Sequence, residues 1–147
     1  MADIQPFRAV RYNFDIAGDV SLHVCPPFDV ITPQLQHELY DRSPYNIVRL
    51  ELARRGLSDD PYERAAETAQ TWKDLGVLEH DEEPSIYVTE EEFEYRGRIL
   101  RRRGFIAGVR LEDYDQKVVL PHEGTRSEWV ADRVRLMGAA QSNYSPL

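Results

Sequence analysis

Cysteine is nearly absent from this chain. Cys25 is the single thiol in 147 residues, so no disulfide can form within it, and the usage suits a reducing cytoplasm. No stretch approaches the ~18 consecutive apolar residues of a membrane-crossing helix. The opening Met1-Ala2-Asp3-Ile4-Gln5-Pro6 lacks the basic and apolar regions of a secretory leader. Positive charge is also scarce: 18 Lys and Arg stand against 26 Asp and Glu, a net charge of −8. Non-specific nucleic-acid binding needs a dense basic footprint that releases counterions. Such a role is therefore disfavoured, although a local basic patch would be compatible with the total. The chain carries no P-loop, no G-x-S-x-G elbow and no dinucleotide-binding glycine fingerprint. No repeat, low-complexity tract or long linker divides it, so it reads as one domain, residues 1–147.

What is present alternates between strand-like and helix-like patterns. Pro6 to Tyr12 reads as an extended edge segment. Val20, Leu22 and Val24 recur at period two and predict a strand. Cys25-Pro26-Pro27-Phe28-Asp29-Val30 must end it, because two prolines remove two donors and fix two φ angles. Asp29, displayed just after that bend, is a candidate functional carboxylate; the structural reading, favoured over it, is that it closes an Asx-type turn.

Thr32-Pro33 predicts a helix start, with threonine as N-cap and proline at the first helical position, running to about Asp41. Ile47 to Leu52 alternates, with Val48, Leu50 and Leu52 on one side and Arg49 and Glu51 on the other, and predicts a half-buried strand. Asp60-Pro61-Tyr62-Glu63 opens a second helix, and Gly76 closes it as a left-handed residue. Tyr62, Ala65, Ala66, Ala69, Trp72 and Leu75 share one face at helical spacing, which is the pattern of a core stripe.

The next stretch holds eight acids between Glu79 and Glu94 and five arginines between Arg96 and Arg103. Alone, the arginine run resembles a nucleic-acid patch. Folded as a hairpin about Arg96-Gly97, however, it sets Glu92 opposite Arg101, Glu91 opposite Arg102 and Glu90 opposite Arg103. The same register pairs Phe93 with Leu100 and Val88 with Phe105, at roughly 0.2–1 kcal/mol per cross-strand pair. A three-residue loop with a glycine bulge would shift the register by one and still pair Glu92 with Arg102 and Glu91 with Arg103; in either register an ion-paired hairpin is the reading adopted. Gly104 to Val109 follows as an interior-type strand, and Gln116 to Leu120 as a further strand.

Pro121-His122-Glu123-Gly124-Thr125-Arg126 then leads into the last helix. Thr125 and Glu128 have the spacing of a capping box, with Arg126 the first helical residue. Trp129, Val130, Val134, Met137 and Ala140 are the expected buried face, and Asp132, Arg133 and Arg135 the polar one. A helix start with a neighbouring guanidinium favours an anion. Gly124, Thr125 and Arg126 are therefore candidate phosphate-binding residues, and His122 and Glu123, with Asp29, candidate acid–base groups. The structural alternative assigns Thr125 and Glu128 to capping, Gly124 to a turn and Glu123 to the helix dipole. His122, Glu123, His23 and Cys25 lack the spacing of a recognised metal motif. Cys25 beside two prolines suits packing better than nucleophilic chemistry.

Several stretches together resemble a family of prokaryotic proteins, domain-of-unknown-function family 1015. They are Pro26-Pro27-Phe28-Asp29-Val30, Gly76-Val77-Leu78, Pro84 with Tyr87, Leu111-Glu112-Asp113-Tyr114 and Pro121-His122-Glu123-Gly124-Thr125. Asp132-Arg133 and Asn143-Tyr144-Ser145-Pro146 fit it too. The resemblance implies that the chain is the N-terminal portion of a longer protein, since family chains extend further. It carries no activity of its own. Members are sometimes labelled similar to the chromosome-partitioning ParB group, whose relatives include sulfiredoxin and a free-serine kinase. Those proteins hold nucleotide phosphates at a loop opening a helix, which Gly124-Thr125-Arg126 echoes.

The expectation is thus an α+β protein with a mixed, largely antiparallel sheet, about three helices packed on it and a long central hairpin over ~85–110. The expected function is a cytoplasmic phosphate- or nucleotide-binding enzyme with its site at the His122–Arg126 loop and a nucleotide with Mg as its cofactor. The alternatives are a non-catalytic structural or protein-interaction module and a ParB-like nucleic-acid-associated protein.

Overall fold

The computed structural model describes residues 1–56, 60–121, 124 and 126–145. In chain order its elements are β1 (Ile4–Gln5), β2 (Val10–Tyr12), α1 (Phe14–Ala17), α2 (Pro33–Arg42), α3 (Val48–Glu51) and α4 (Pro61–Asp74). These are followed by β3 (Leu78–His80), β4 (Tyr87–Tyr95), β5 (Arg98–Ile106), β6 (Gly108–Val109) and α5 (Ser127–Ala140). The class is α+β, as the sequence implies. The β structure is divided among three two-stranded pairs, β1 with β6, β2 with β3 and β4 with β5, rather than gathered into one sheet. Two compact units form, one of residues 1–9 and 80–124, the other of residues 10–79 and 125–147.

The first unit is built on the hairpin. Of the two registers that charge matching allows, it takes the one with the two-residue turn: Glu92 opposite Arg101, Glu91 opposite Arg102, Glu90 opposite Arg103 and Phe93 opposite Leu100. Arg96 and Gly97 turn the chain with φ of 52° and 73°, the left-handed pair that a two-residue turn needs to match strand twist. All three facing ion pairs form, at 2.9, 2.5 and 2.6 Å. Residues 104–109, expected as an interior strand, instead continue β5 to Ile106 and then form β6, and Phe105 is 60% exposed.

The second unit carries the core. Leu50, Ala69, Trp72, Val77 and Leu78 are buried together, with Tyr12, Tyr45 and Tyr144 packed against them. The two helix starts read from Thr-Pro and Asp-Pro form as expected: Thr32 accepts from Leu35 N–H at 3.2 Å, and Asp60 from Tyr62 N–H at 2.9 Å. Gly76 ends the α4 region at φ 73°, and an added Cβ would lie 3.0 Å from the Ile16 side chain. The positive φ there calls for glycine, and the tip of Ile16 would have to give way to any side chain.

Three expected strands do not form. Residues 47–52 hold the helical turn α3, because the Asn46 side chain accepts the Val48 N–H at 3.1 Å and so starts a helix locally. Asn46 is fully buried and also donates to the carbonyls of Leu22 and Val24, at 2.8 and 3.0 Å. Residues 20–22 form a 3-10 turn, because Asp19 accepts the Ser21 N–H. Lys117, at φ 54° after a 3-10 turn over Tyr114–Gln116, breaks the expected strand at 116–120.

Candidate functional site

The second unit brings together residues that stand far apart in the chain. Arg133, on α5, donates to Glu51 Oε1 at 2.8 Å and to the Glu51 carbonyl at 3.1 Å. It also reaches Asp132 Oδ2, at 3.0 Å from Nε and 2.5 Å from a terminal nitrogen. Ser145 donates to Glu51 Oε1 at 2.5 Å, and the Tyr62 hydroxyl donates to Asp132 at 2.6 Å. Glu51 is 5% exposed at its side chain and Arg133 21%. A carboxylate so far from water is tolerable only when paired and hydrogen-bonded, and here both conditions hold. The Arg133 guanidinium also lies 3.8 Å from the Phe28 ring centre.

This arrangement corrects the expected polarity of the last helix. Leu136 is its buried residue, while Trp129, Val130, Val134 and Met137 are 37–62% exposed. Asp132 and Arg133, expected outside, are partly buried. Burial becomes possible because Glu51 and Asp132 neutralise Arg133 and an aromatic ring covers it.

The network tunes its members. Burial opposes ionisation of Asp132, but hydrogen bonds from Tyr62 and Arg133 and the charges of Arg133 and Arg135 outweigh it, so its pKa lies below the ordinary value. Tyr62 moves the other way: its bond to Asp132, then burial, then the Asp132 charge all raise it. Tyr62 is thus a neutral donor beside an ionised acceptor. Burial, with the Glu51 charge, pushes the half-buried Cys25 thiol up to about 11, the opposite of what a nucleophile needs.

Beside the network is a cavity of about 60 Å³, lined by Glu51, Leu52, Ala53, Arg55, Pro61, Tyr62, Asp132, Arg133 and Leu136. It has room for a few waters or a small polyatomic ion. From it, a continuous strip follows α5 toward its start. Arg135 stacks on Tyr62 at 4.4 Å, Arg133 on Phe28, and Arg126 on Trp129 at 4.7 Å, while the Phe28 and Trp129 rings meet edge-on at 6.1 Å.

Of the residues singled out from sequence, Asp29 is exposed in a 3-10 turn over Phe28–Val30. Arg126 is the N-cap of α5 and provides no side-chain cap, so the helix begins one residue later than the capping-box reading places it. Gly124 is exposed, with nothing among the described residues near where a Cβ would stand. His122, Glu123 and Thr125 lie outside the described residues. Asp29 and Arg126 are joined through Phe28 and Trp129, and neither lines the cavity. Among the described residues, no group of three or more His, Cys, Asp or Glu side chains is placed to hold a metal ion, and no helix is long and apolar enough to cross a membrane.

Residue-by-residue reading missed Glu51, Tyr62 and Ser145 as site residues and took Asp132 and Arg133 as mere surface charge. A usable signal lay in the resemblance, whose quoted stretches include Phe28, Asp132, Arg133 and Ser145, all of which meet around the Glu51–Arg133 pair.

Fold and strip together define an α+β protein with a buried carboxylate–guanidinium network and a run of arginine-on-aromatic contacts. The chain belongs to the family of proteins of unknown function DUF1015, whose profile matches residues 4–147. No curated protein and no solved structure matches it.

Proposed function

We infer that the protein binds a phosphorylated small molecule, best fitted by a nucleotide, at the start of α5. The observation that carries this is the first turn of that helix. Among the described residues no side chain caps it, which leaves the Ser127 and Glu128 N–H groups for an anion, and Arg126 stands beside them on a partly exposed Trp129 ring. Uncapped donors and a guanidinium suit phosphate; a flat ring next to them suits a base. Gly124 and Thr125 would add backbone contacts, and His122 and Glu123 would be the proton-transfer groups of a cytoplasmic enzyme. Asp29 would serve as anchor for a nucleotide-bound Mg or as a base.

Calorimetric titration of the full chain with nucleotides, sugar phosphates and inorganic phosphate tests this. Binding should weaken at least tenfold in Arg126→Ala and in Trp129→Ala, and survive His122→Ala with turnover lost. Heat-silent titrations across the panel, or unchanged affinity in Arg126→Ala, would end the proposal. The exposed apolar Val130, Val134 and Met137 favour a second reading, a non-catalytic interaction module, which would leave every such titration silent.

A further inference from the structure

We propose that one face of the β4–β5 hairpin is a self-association surface whose partner is a second copy of this chain. Side chains alternate across a strand. The register therefore puts Val88, Glu90, Glu92 and Glu94 on one face with Phe105, Arg103, Arg101 and Ile99. The opposite face is held at its base, where the Tyr87 ring meets Phe7 at 5.1 Å and the Tyr87 hydroxyl accepts the Ala9 N–H at 2.9 Å. Among the described residues the first face has no such cover: Val88, Ile99 and Phe105 are 77%, 71% and 60% exposed. A free-standing two-stranded hairpin is marginal in water. The ion pairs on this one are solvent-exposed and individually weak. Nine paired rungs with three large apolar side chains in solvent are an arm that gains by being covered.

Charge decides what can cover it. The β4 row is acidic and the β5 row basic, and the two run side by side along the face. A two-fold axis parallel to the strands lays β5 of one copy over β4 of the other. Arg101 and Arg103 then face Glu92 and Glu90 of the second copy, and Phe105 faces its Val88. At the ~10 Å spacing of stacked sheets, long Glu and Arg side chains reach each other. Each guanidinium would sit between its own glutamate and the second copy's. The other two-folds oppose like charges. An axis across the strands stacks β4 on β4, and one normal to the sheet sets β4 beside β4 or β5 beside β5. Both bring Glu to Glu or Arg to Arg, which is destabilising. The face is self-complementary in one arrangement, which closes as an isologous dimer. A polyanion, by contrast, would meet the glutamate row beside every arginine.

Sedimentation equilibrium on the full chain from about 10 μM to 1 mM tests this. Association should be concentration-dependent and weaken as salt rises. Val88→Lys, at an exposed position that leaves the fold intact, should weaken it at least tenfold with an unchanged thermal melt. Exchanging the rows by Glu90→Arg, Glu92→Arg, Arg101→Glu and Arg103→Glu keeps every pair within the chain. In the same two-fold arrangement it also keeps every pair between copies, so that variant should associate with itself about as tightly as the unaltered protein. A chain monomeric throughout the range overturns the proposal, as does a row-exchanged variant that keeps its thermal melt yet stays monomeric where the unaltered protein associates. A monomer that captures an oligonucleotide through Arg101 and Arg103 overturns it too, making nucleic acid the occupant.

Discussion

Replacing Arg133 by methionine removes the charge that makes Glu51 tolerable while keeping most of the aliphatic stem. Glu51, 5% exposed at its side chain, would then keep, among the described residues, only the Ser145 hydroxyl as a side-chain partner. Removing one partner of a buried ion pair costs about 3–5 kcal/mol, because the other charge is left uncompensated. Arg133 is itself 21% exposed, so water can partly enter and the lower value applies, about 3 kcal/mol. The lost stacking on Phe28 lies within that figure. Urea unfolding followed by tryptophan fluorescence is the assay, since Trp72 and Trp129 both belong to the second unit and report on the region perturbed. The midpoint should fall with an unchanged slope, and Tm should drop by about 6–12 °C. The double variant Glu51→Leu with Arg133→Met removes both charges. It should be more stable than Arg133→Met alone, since a well-packed apolar pair replaces a buried ion pair at little cost. A loss below about 1 kcal/mol for Arg133→Met, or a double variant as unstable as the sum of the singles, would refute the view that burial and pairing hold α5 in place.

Two further outcomes follow from the same region. Tyr62→Phe should cost about 1 kcal/mol at neutral pH, the low side for a hydrogen bond to a carboxylate because both groups are partly solvated. Asp132 has a depressed pKa in the folded protein. Its contribution is therefore present above the unfolded carboxylate range near 4 and is lost as pH falls through the folded value. The difference between Tyr62→Phe and the unaltered protein should shrink along the acid limb of a stability-versus-pH curve, and a constant difference would count against the Tyr62–Asp132 bond. Cys25, raised from 9.0 to about 11 by burial and the Glu51 charge, should alkylate with iodoacetamide at pH 8 some 10–100-fold more slowly than a free thiol. A rate equal to that of glutathione would show that the thiol is neither covered nor perturbed.

Local chemistry was readable where the deciding partner sits nearby in the chain. Thr32-Pro33 and Asp60-Pro61 announce their helices because cap and first turn are adjacent. The ion-paired hairpin follows from charge matching across a short turn, and the left-handed Arg96-Gly97 pair selects between the two registers that the charges allow. Residues 47–52 were misread because a short alternating apolar run also fits a helical turn, and the deciding group is the Asn46 side chain, itself held by the carbonyls of Leu22 and Val24. The last helix was misread for a related reason: an apolar stripe implies burial only if nothing else can be buried more favourably.

By itself, then, the sequence determined the α+β class, the capped helices, the charged hairpin and the absence of a structural disulfide. Each rests on spacing, capping or composition, which act over a few residues. Only the tertiary structure decided that Arg133 and Asp132 turn inward, that Glu51 is buried rather than solvent-facing, and that Phe28, Tyr62 and Ser145 join them. Charge burial depends on partners from segments up to 94 positions apart in the chain, and no local pattern encodes whether those partners will meet.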